Sequence, residues 1–409
     1  MRYVIIGNSA AAVGAVEGIR KNDRNGEIVM ISNERYHTYS RPLISYLLQG
    51  KTTEEKMKYR DDEFYIRNNC KLMLNANVIK IEPQQKEVVL DDDSRISYDR
   101  LLVATGSSPF VPPIKGLEQV KNKFTFTTLD DAKALEQVLT EGTRVLILGA
   151  GLIGLKCAEG ISKKVQCICV DLSSKVLSSI LDEEASEIVK EHLEEHNIKF
   201  FLNNQVTEFK EKQALLADGT AVEFDVLVIA IGVRPNISLV KEAGGETNRG
   251  ILIDEKCRTT LPDVYAAGDC CESLDISTGE RKVMALLPNA YMQGECAGIN
   301  MSGGEADFNK AIPMNAIGFF GLHIITAGTY KGDVYYERNE GNYKKIYFSD
   351  NKLNGFILIG NIEKAGIYTS MIRERTPLDT LDFELVCKQP GLMAFSREVR
   401  AKKLGGVPA

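Results

Sequence analysis

The chain has 409 residues, 44% of them hydrophobic and 26% charged, with a formal net charge of −6. That length allows two or three domains around a substantial core, and the composition is that of an ordinary globular protein. The acid excess, with no Lys/Arg-rich stripe interleaved with aromatics, excludes nucleic acid as the main partner, and no apolar run reaches the length of a membrane span.

The chain enters a short apolar strand, Val4-Ile5-Ile6, almost at once. This leaves no room for a signal peptide, so the expected location is cytoplasmic. The strand runs into the small-residue turn Gly7-Asn8-Ser9-Ala10-Ala11-Ala12, then a helix carrying Ala15, Val16 and Ile19, then a second strand, Ile28 to Ile31, closed by Glu34. Strand, tight turn, helix and second strand ending in an acid is the arrangement that holds a dinucleotide. The turn lets the backbone approach the pyrophosphate, the helix N-terminus offers free amides, and the acid accepts ribose hydroxyls. Against G-x-G-x-x-G, Gly7 fills the first position while Ser9 and Ala12 replace the other glycines. Ser9 puts a side chain where a phosphate should approach, so this stretch alone reads equally as an ordinary βαβ unit.

Arg41-Pro42 starts a short helix with Leu43, Leu47 and Leu48 on its apolar face. Helix then strand follow over 61–82, and Val88 to Tyr98 make a hairpin around Asp91–Ser94. Leu101 to Gly106 is a buried strand ending in Ala104-Thr105-Gly106; Ser107-Ser108-Pro109 turns away from it, and Pro109 to Gly116 reads as a linker. After a helix over Asp130–Leu139 the dinucleotide pattern returns complete: Val145 to Leu148, then Gly149-Ala150-Gly151-Leu152-Ile153-Gly154, a helix, and Val165 to Val170 closed by Asp171. Two such units in one chain imply two dinucleotides, and hence electron transfer by a flavoenzyme. A charged helix covers Asp182 to His196, strands and hairpins fill 199–224, and Val226 to Ile231 runs into Gly232-Val233-Arg234-Pro235, echoing 101–109. Residues 251–254 and 260–269 return the chain to the first unit, and a helix spans Tyr291–Met301. From about 311 the reading is a separate α+β domain, with strands at 312–318, 334–336, 345–348 and 355–360, a sheet of four to five strands, and a helix over 362–375. No structure is assigned to the basic stretch after Pro390.

Nine cysteines show no C-x-x-C spacing, which speaks against an iron–sulfur centre and for free thiols in a reducing compartment. Cys167 and Cys169 fall on one face of a buried strand as small hydrophobes. His192 and His196 are i,i+4, but on so charged a helix they read as solvated surface rather than a metal site, and no metal is expected.

Residues 4–17, 101–109, 145–160, 226–236 and 260–271 together resemble the pyridine-nucleotide-dependent FAD oxidoreductases built like glutathione reductase. The nearest likeness is to the NADH:rubredoxin reductase, nitrite reductase large-subunit and ferredoxin reductase group, over about residues 1–380. The motifs that carry it are Ala104-Thr105-Gly106 and Ala266-Ala267-Gly268-Asp269 flanking the complete glycine turn. The resemblance implies an α/β chain of two Rossmann-like three-layer dinucleotide-binding domains plus a C-terminal α+β interface domain. FAD would lie on 1–110 and 240–310, NAD(P)H on 111–239, and a dimer interface on 311–385, with a tail from 386 to 409. The FAD residues would be Gly7, Ser9, Ala10, Ala12, Glu34, Arg41, Ala104, Thr105, Gly106, Gly268 and Asp269, although an acid in the place of Asp269 also serves as a helix cap. Those for the nicotinamide dinucleotide would be Gly149, Gly151, Leu152, Ile153, Gly154, Asp171 and Gly232. Asp171 favours NADH over NADPH, with Lys175 close enough in sequence to weaken the preference.

Three departures from the family pattern stand out. The segment Arg41-Pro42-Leu43-Ile44-Ser45-Tyr46 carries no cysteine, and none precedes Cys70, so thiol–disulfide exchange has no nucleophile there. Tyr46 stands where relatives carry a lysine near the flavin, and it either alters the potential or simply packs. Lys156 stands where relatives carry a glutamate near the nicotinamide. It contacts the flavin side, reaches a phosphate, or marks weakened NAD(P)H chemistry. The residues expected near the reacting rings are therefore Arg41, Pro42, Tyr46 and Lys156, with the flavin itself as the reactive centre. The acceptor implied is a small redox protein such as rubredoxin or ferredoxin, with Arg397, Arg400, Lys402 and Lys403 either as a basic segment that helps to dock it or as a disordered tail. Alternatives are a flavin subunit of an iron–sulfur complex, a slow peroxide-forming NADH oxidase, and a non-catalytic scaffold or sensor.

Overall fold

Strand β1 (Arg2–Ile6) is buried almost throughout in the computed structural model, which describes residues 1–404, as its unbroken apolar run suits the centre of a parallel sheet. Helix α1 (Ala10–Asn22) leads to β2 (Glu27–Ile31), parallel to β1. Two short helices, α2 (Ile44–Leu48) and α3 (Phe64–Arg67), precede β3 (Cys70–Met73), which pairs outside β2. Strands β4 (Val78–Glu82), β5 (Glu87–Leu90) and β6 (Arg95–Ser97) form an antiparallel sheet that contains the expected hairpin. Strand β7 (Arg100–Val103) then lies parallel on the other side of β1.

The second sheet repeats the plan. After β8 (Ser107–Pro109), which lies outside this sheet, come β9 (Lys123–Phe124) and α4 (Leu129–Val138), the last opened by a reciprocal capping box between Thr128 and Asp131. Then come β10 (Arg144–Leu148), α5 (Leu152–Ile161), β11 (Gln166–Val170), α6 (Glu183–Glu195) and β12 (Ile198–Phe201). An antiparallel excursion, β13 (Val206–Lys210), β14 (Gln213–Leu216) and β15 (Ala221–Glu223), precedes β16 (Val226–Ile229), and the parallel order is β12-β11-β10-β16-β9. Cys167 and Cys169 are buried on one side of β11.

The echo between 101–109 and 226–236 is a physical pairing. Residues 107–109 are not merely a turn: β8 pairs antiparallel with β17 (Val233–Pro235). Asn236 ties the crossover, its Nδ2 donating to the Thr105 carbonyl at 2.9 Å and its carbonyl accepting from Thr105 Oγ1 at 2.9 Å. Two chain crossings that run side by side satisfy each other's backbone groups, and no local pattern of either strand announces this.

The chain then returns through α7 (Ser238–Glu242), β18 (Ile251–Leu252), β19 (Val264–Ala266), β20 (Cys271–Asp275), β21 (Glu280–Val283) and α8 (Leu287–Met301). Strand β19 pairs in parallel with β7, which completes the order β19-β7-β1-β2-β3. Helices α1 and α8 meet backbone to backbone: a Cβ at Gly14 would strike the Tyr291 carbonyl, and one at Gly294 the Ala11 carbonyl. The small residues of Ala10–Gly18 therefore serve this contact as well as the turn.

The C-terminal sheet holds five antiparallel strands, β22 (Met314–Phe319), β23 (Leu322–Gly328), β24 (Asp333–Asn339), β25 (Asn342–Ser349) and β26 (Lys352–Ile359), in the order β22-β23-β26-β25-β24. Strand β23 has no counterpart in the sequence reading; its Leu322-His323-Ile324-Ile325-Thr326 gives no clean alternation. The expected turn over 350–354 shrinks to Asp350 and Asn351, both with positive φ, and the strand resumes at Lys352. Helices α9 (Ala365–Glu374), α10 (Phe383–Lys388) and α11 (Arg397–Leu404) follow. Val386, Cys387, Ala394 and Phe395 are buried with Phe356 and Tyr368, so part of the stretch left unassigned belongs to this core. Residues 405–409 and the side chains of Lys402 and Lys403 lie outside the described residues.

The described residues divide into two compact units. Met1–Ser178, Leu193–Leu274 and Arg281–Asn309 carry both parallel sheets, while Ser179–His192, Asp275–Glu280 and the residues from Lys310 onward form the other. Within the latter, His192 is half-buried, its Nε2 lying 3.0 Å from the Phe319 carbonyl oxygen, so it is not the solvated surface residue the helix pattern suggested. Asp182 organises this unit: its carboxylate accepts from Tyr343 OH at 2.7 Å, Lys345 Nζ at 2.8 Å, Tyr347 OH at 3.1 Å and the Ala185 amide at 2.9 Å. Burial works to raise its pKa, but these donors, Lys345 foremost, hold it below the ordinary value. Asp182→Ala should cost this unit about 3 kcal/mol in urea unfolding, since it strands a buried tyrosine hydroxyl and an ammonium. Because the folded pKa is depressed, the contribution is present above the unfolded value near ~3.9 and is lost as pH falls through the folded one. The gap between the two proteins should therefore close in acid.

Candidate functional site

The carboxyl ends of β1, β7 and β19 lie side by side, so three turns open at one edge of the first sheet, where ligands of such sheets sit. Gly7 has φ +129°, and a Cβ there would strike the Ala104 carbonyl oxygen, so the first turn rests directly on the Ala104–Gly106 turn. Ser9 occupies the N-cap of α1 but makes no side-chain cap bond. Ala10, Ala11 and Ala12 are buried, and a Cβ at Gly268 would lie 3.2 Å from Ala11 Cβ, which puts the Gly268–Asp269 turn against the start of α1. Gly268 is held there by Gln293 Oε1, which accepts its amide at 2.7 Å.

Around this edge runs a charged cluster. Arg41 donates to Glu34 Oε1, to Tyr39 OH at 3.4 Å and to the Thr127 carbonyl at 3.1 Å. Its guanidinium also lies over the Tyr39 ring, 5.4 Å from the centroid. Tyr39 OH donates to Glu34 Oε2 at 2.7 Å and accepts from the Leu129 amide at 3.0 Å. Burial works to lower the Arg41 pKa, but Tyr39, Glu34 and the more distant Asp269 raise it. Burial pushes the part-buried Asp269 carboxyl up, against the pull of Arg41. Among the described residues no side chain or amide is hydrogen-bonded to that carboxylate. A desolvated acceptor with a cation nearby and no protein donor suits a ligand that brings its own hydroxyls, and Asp269 caps no helix. Pro42 sits in the short 3₁₀ turn Arg41–Leu43.

The second sheet carries the same device. Gly149 has φ +106°, and a Cβ there would strike the Ala230 carbonyl oxygen, as Gly7 meets Ala104. A Cβ at Gly154 would collide with the Gly149 carbonyl, so the third glycine packs helix on strand, whereas Gly151, at the N-cap of α5, has nothing within 4 Å of where its Cβ would be. Leu152 and Ile153 follow it, both partly exposed, and Gly232 is exposed with open space above it. Asp171 closes the turn: its carboxylate accepts the Ala150 amide at 2.6 Å and the Ser173 amide at 2.7 Å.

The two unusual residues of the sequence meet. The Lys156 ammonium lies 4.6 Å from the centroid of the Tyr46 ring and is ion-paired with Glu159. Tyr39, Gln293, Asn236 and Glu159 are the residues that sequence reasoning passed over. Tyr39, two residues before Arg41, Asn236, directly after Pro235, and Glu159, three residues after Lys156, lay near motifs that could have drawn notice, whereas Gln293 did not. All nine cysteines are free, and eight are buried.

The model of the family described as "Pyridine nucleotide-disulphide oxidoreductase" matches residues 1–294, and that described as "Rubredoxin NAD+ reductase C-terminal domain" matches 313–376. The chain is 31% identical over 415 residues to subunit epsilon of the NADH-dependent phenylglyoxylate dehydrogenase of Aromatoleum evansii, covering 98% of this chain and 97% of that one. It is 29% identical to the rubredoxin-NAD(+) reductase of Pseudomonas putida, over 74% of this chain and 80% of the relative. In fold it matches a chain of the covalent putidaredoxin reductase–putidaredoxin complex with a TM-score of 0.88, at 22% identity and 99% coverage of both. With a family model covering more than half its length and a full-length relative above 30% identity, the chain belongs to the pyridine nucleotide-disulphide oxidoreductase family, as a FAD-dependent NAD(P)H oxidoreductase without a disulfide among its described cysteines.

Proposed function

We propose that this protein passes electrons from NADH through FAD to a small redox protein of the rubredoxin or ferredoxin kind. The observation that carries this reading is the repeated turn, Gly7 on Ala104 and Gly149 on Ala230, with both sites in one compact unit. FAD supplies the chemistry when bound, accepting a hydride and releasing electrons singly or in pairs.

The chain's own residues bind and orient. FAD is assigned to 1–110 and 240–310: Gly7, Ser9, Ala10 and Ala12 with the first amides of α1 at the pyrophosphate, Glu34 and Arg41 beside the adenosine half, and Ala104, Thr105, Gly106, Gly268 and Asp269 along the sugar chain. NADH is assigned to 111–239, on Gly149, Gly151, Leu152, Ile153, Gly154, Asp171 and Gly232. The Asp171 carboxylate is fixed by two amides, so a 2′-phosphate beside it would meet a negative charge that cannot swing away, which supports NADH over NADPH. The match of 313–376 to a rubredoxin reductase C-terminal domain and the similarity to a rubredoxin-NAD(+) reductase support the acceptor class. Residues 311–385 are proposed as the interface of a homodimer. The nine free thiols support a reducing compartment such as the cytoplasm.

A second reading, a flavin subunit of a larger iron–sulfur complex, is favoured by the full-length similarity to a subunit of a multi-subunit dehydrogenase. Anaerobic titration of the FAD-loaded protein tests both. NADH at about one equivalent should bleach the oxidised-flavin band, and NADPH at the same low concentration should do so roughly tenfold more slowly, about 1.4 kcal/mol of discrimination. A flavin that stays oxidised with NADH yet bleaches with a reduced iron–sulfur protein would favour the second reading; one reduced by neither would defeat both.

A further inference from the structure

Two dinucleotides that exchange electrons must bring their reactive rings together between the segments that hold their adenosine ends. Helix α2 belongs to the first segment and α5 to the second, and the two helices touch: a Cβ at Gly160 would lie 3.2 Å from the Ser45 carbonyl oxygen and 3.4 Å from Leu48 Cβ. At this seam Tyr46 presents its ring to two cations, Lys156 at 4.6 Å from the centroid and Lys51 at 5.7 Å. Lys156 is also paired with Glu159 one turn further along α5, and the side chains are 18% and 4% exposed. Exposed i,i+3 pairs roam and contribute little. This pair is different, because a carboxylate so deeply buried is stabilised by a cation held in place, and the Tyr46 ring is a second contact that holds this one.

We propose that Lys156 is a positioning cation of the electron-transfer seam: Tyr46 holds its ammonium across the seam, and Glu159 sets how much of its charge the reacting rings feel. This rests on the assignment of FAD and NADH to the two turns. Away from water, a cation favours the electron-rich form of a nearby redox group and a carboxylate disfavours it, so the two residues should act with opposite signs.

The test is an anaerobic equilibration of the FAD-loaded full chain with an indicator dye, reading the ratio of oxidised to reduced flavin at a fixed dye ratio. Lys156→Gln should raise that ratio by about tenfold, which is ~30 mV for a two-electron couple. Glu159→Gln should lower it by a comparable factor. Lys156→Arg, which keeps the charge, should hold it within about twofold, and Tyr46→Leu, which frees the ammonium, should move it in the direction of Lys156→Gln. Simple disruption of the seam would move Lys156→Gln and Glu159→Gln the same way. That result, or no movement in either while FAD stays bound, would overturn the proposal. Wild-type protein that cannot hold FAD at all would instead defeat the cofactor assignment, and the proposal with it.

Discussion

Asp269→Ala is expected to release the flavin, with a loss of about 3 kcal/mol in FAD binding, roughly a hundredfold in Kd. Its carboxylate is part-buried, raised in pKa by burial and hydrogen-bonded to nothing among the described residues. Beyond the pull of Arg41, the hydrogen bonds that stabilise the ionised form when the protein is loaded must therefore come from the ligand. The same facts predict the opposite effect on the empty protein. A carboxyl whose folded pKa is raised stabilises the fold fully below its unfolded value and loses that contribution as pH rises through the folded one. The ionised group is a burden on the empty site, and apo Asp269→Asn should be at least as stable as wild type where the carboxyl is ionised, while binding FAD less tightly. Flavin-to-protein ratio after gel filtration, with thermal unfolding of the apo forms, reads both. Retained flavin in Asp269→Ala would remove Asp269 from the site.

Gly151→Glu should slow reduction by NADH while leaving FAD bound, lowering the rate at low NADH by roughly tenfold to several hundredfold. Nothing lies within 4 Å of the position a Cβ would take, and φ is −85°, so the fold accepts a side chain there. The cost falls on the ligand, since the new carboxylate stands at the N-terminus of α5, where a pyrophosphate would be drawn. At about 4 Å a like charge costs ~1–4 kcal/mol, depending on solvent access. Gly149→Ala makes the contrast: with φ +106° and a collision with the Ala230 carbonyl it should damage the fold itself, by ~1–3 kcal/mol for the backbone strain alone. Stopped-flow reduction and melting temperature separate the two variants. If Gly151→Glu accepted electrons from NADH normally, residues 149–154 would not be the nicotinamide dinucleotide site.

Much of the architecture was legible because its signals are local. Gly149-Ala150-Gly151-Leu152-Ile153-Gly154 needs only its own strand and helix to be understood, and Gly7 is recognisable even with Ser9 and Ala12 beside it. The run of small residues along α1 is explained by a partner some 280 residues away, since α8 lies against its backbone at Ala11, Gly14, Ala15 and Gly18. That contact has no signature in either stretch. Strand β23 stayed hidden because its pattern does not alternate cleanly, and the pairing of 107–109 with 233–235 because each segment alone looks like the end of a turn.

The sequence by itself determined two dinucleotide-binding βαβ units, the acids Glu34 and Asp171 that close them, the Gly268-Asp269 turn and the missing cysteine between Met1 and Cys70. Period, turn chemistry and spacing are properties of contiguous residues, and those suffice. Only the tertiary structure decided that Arg41 joins Glu34, Tyr39 and the Thr127 carbonyl, that Asp171 is occupied by two amides, and that Tyr46 and Lys156, two separate oddities along the chain, are one contact. Charge and burial at these positions depend on which helices touch, and that is settled by packing across a hundred residues rather than by any stretch of ten.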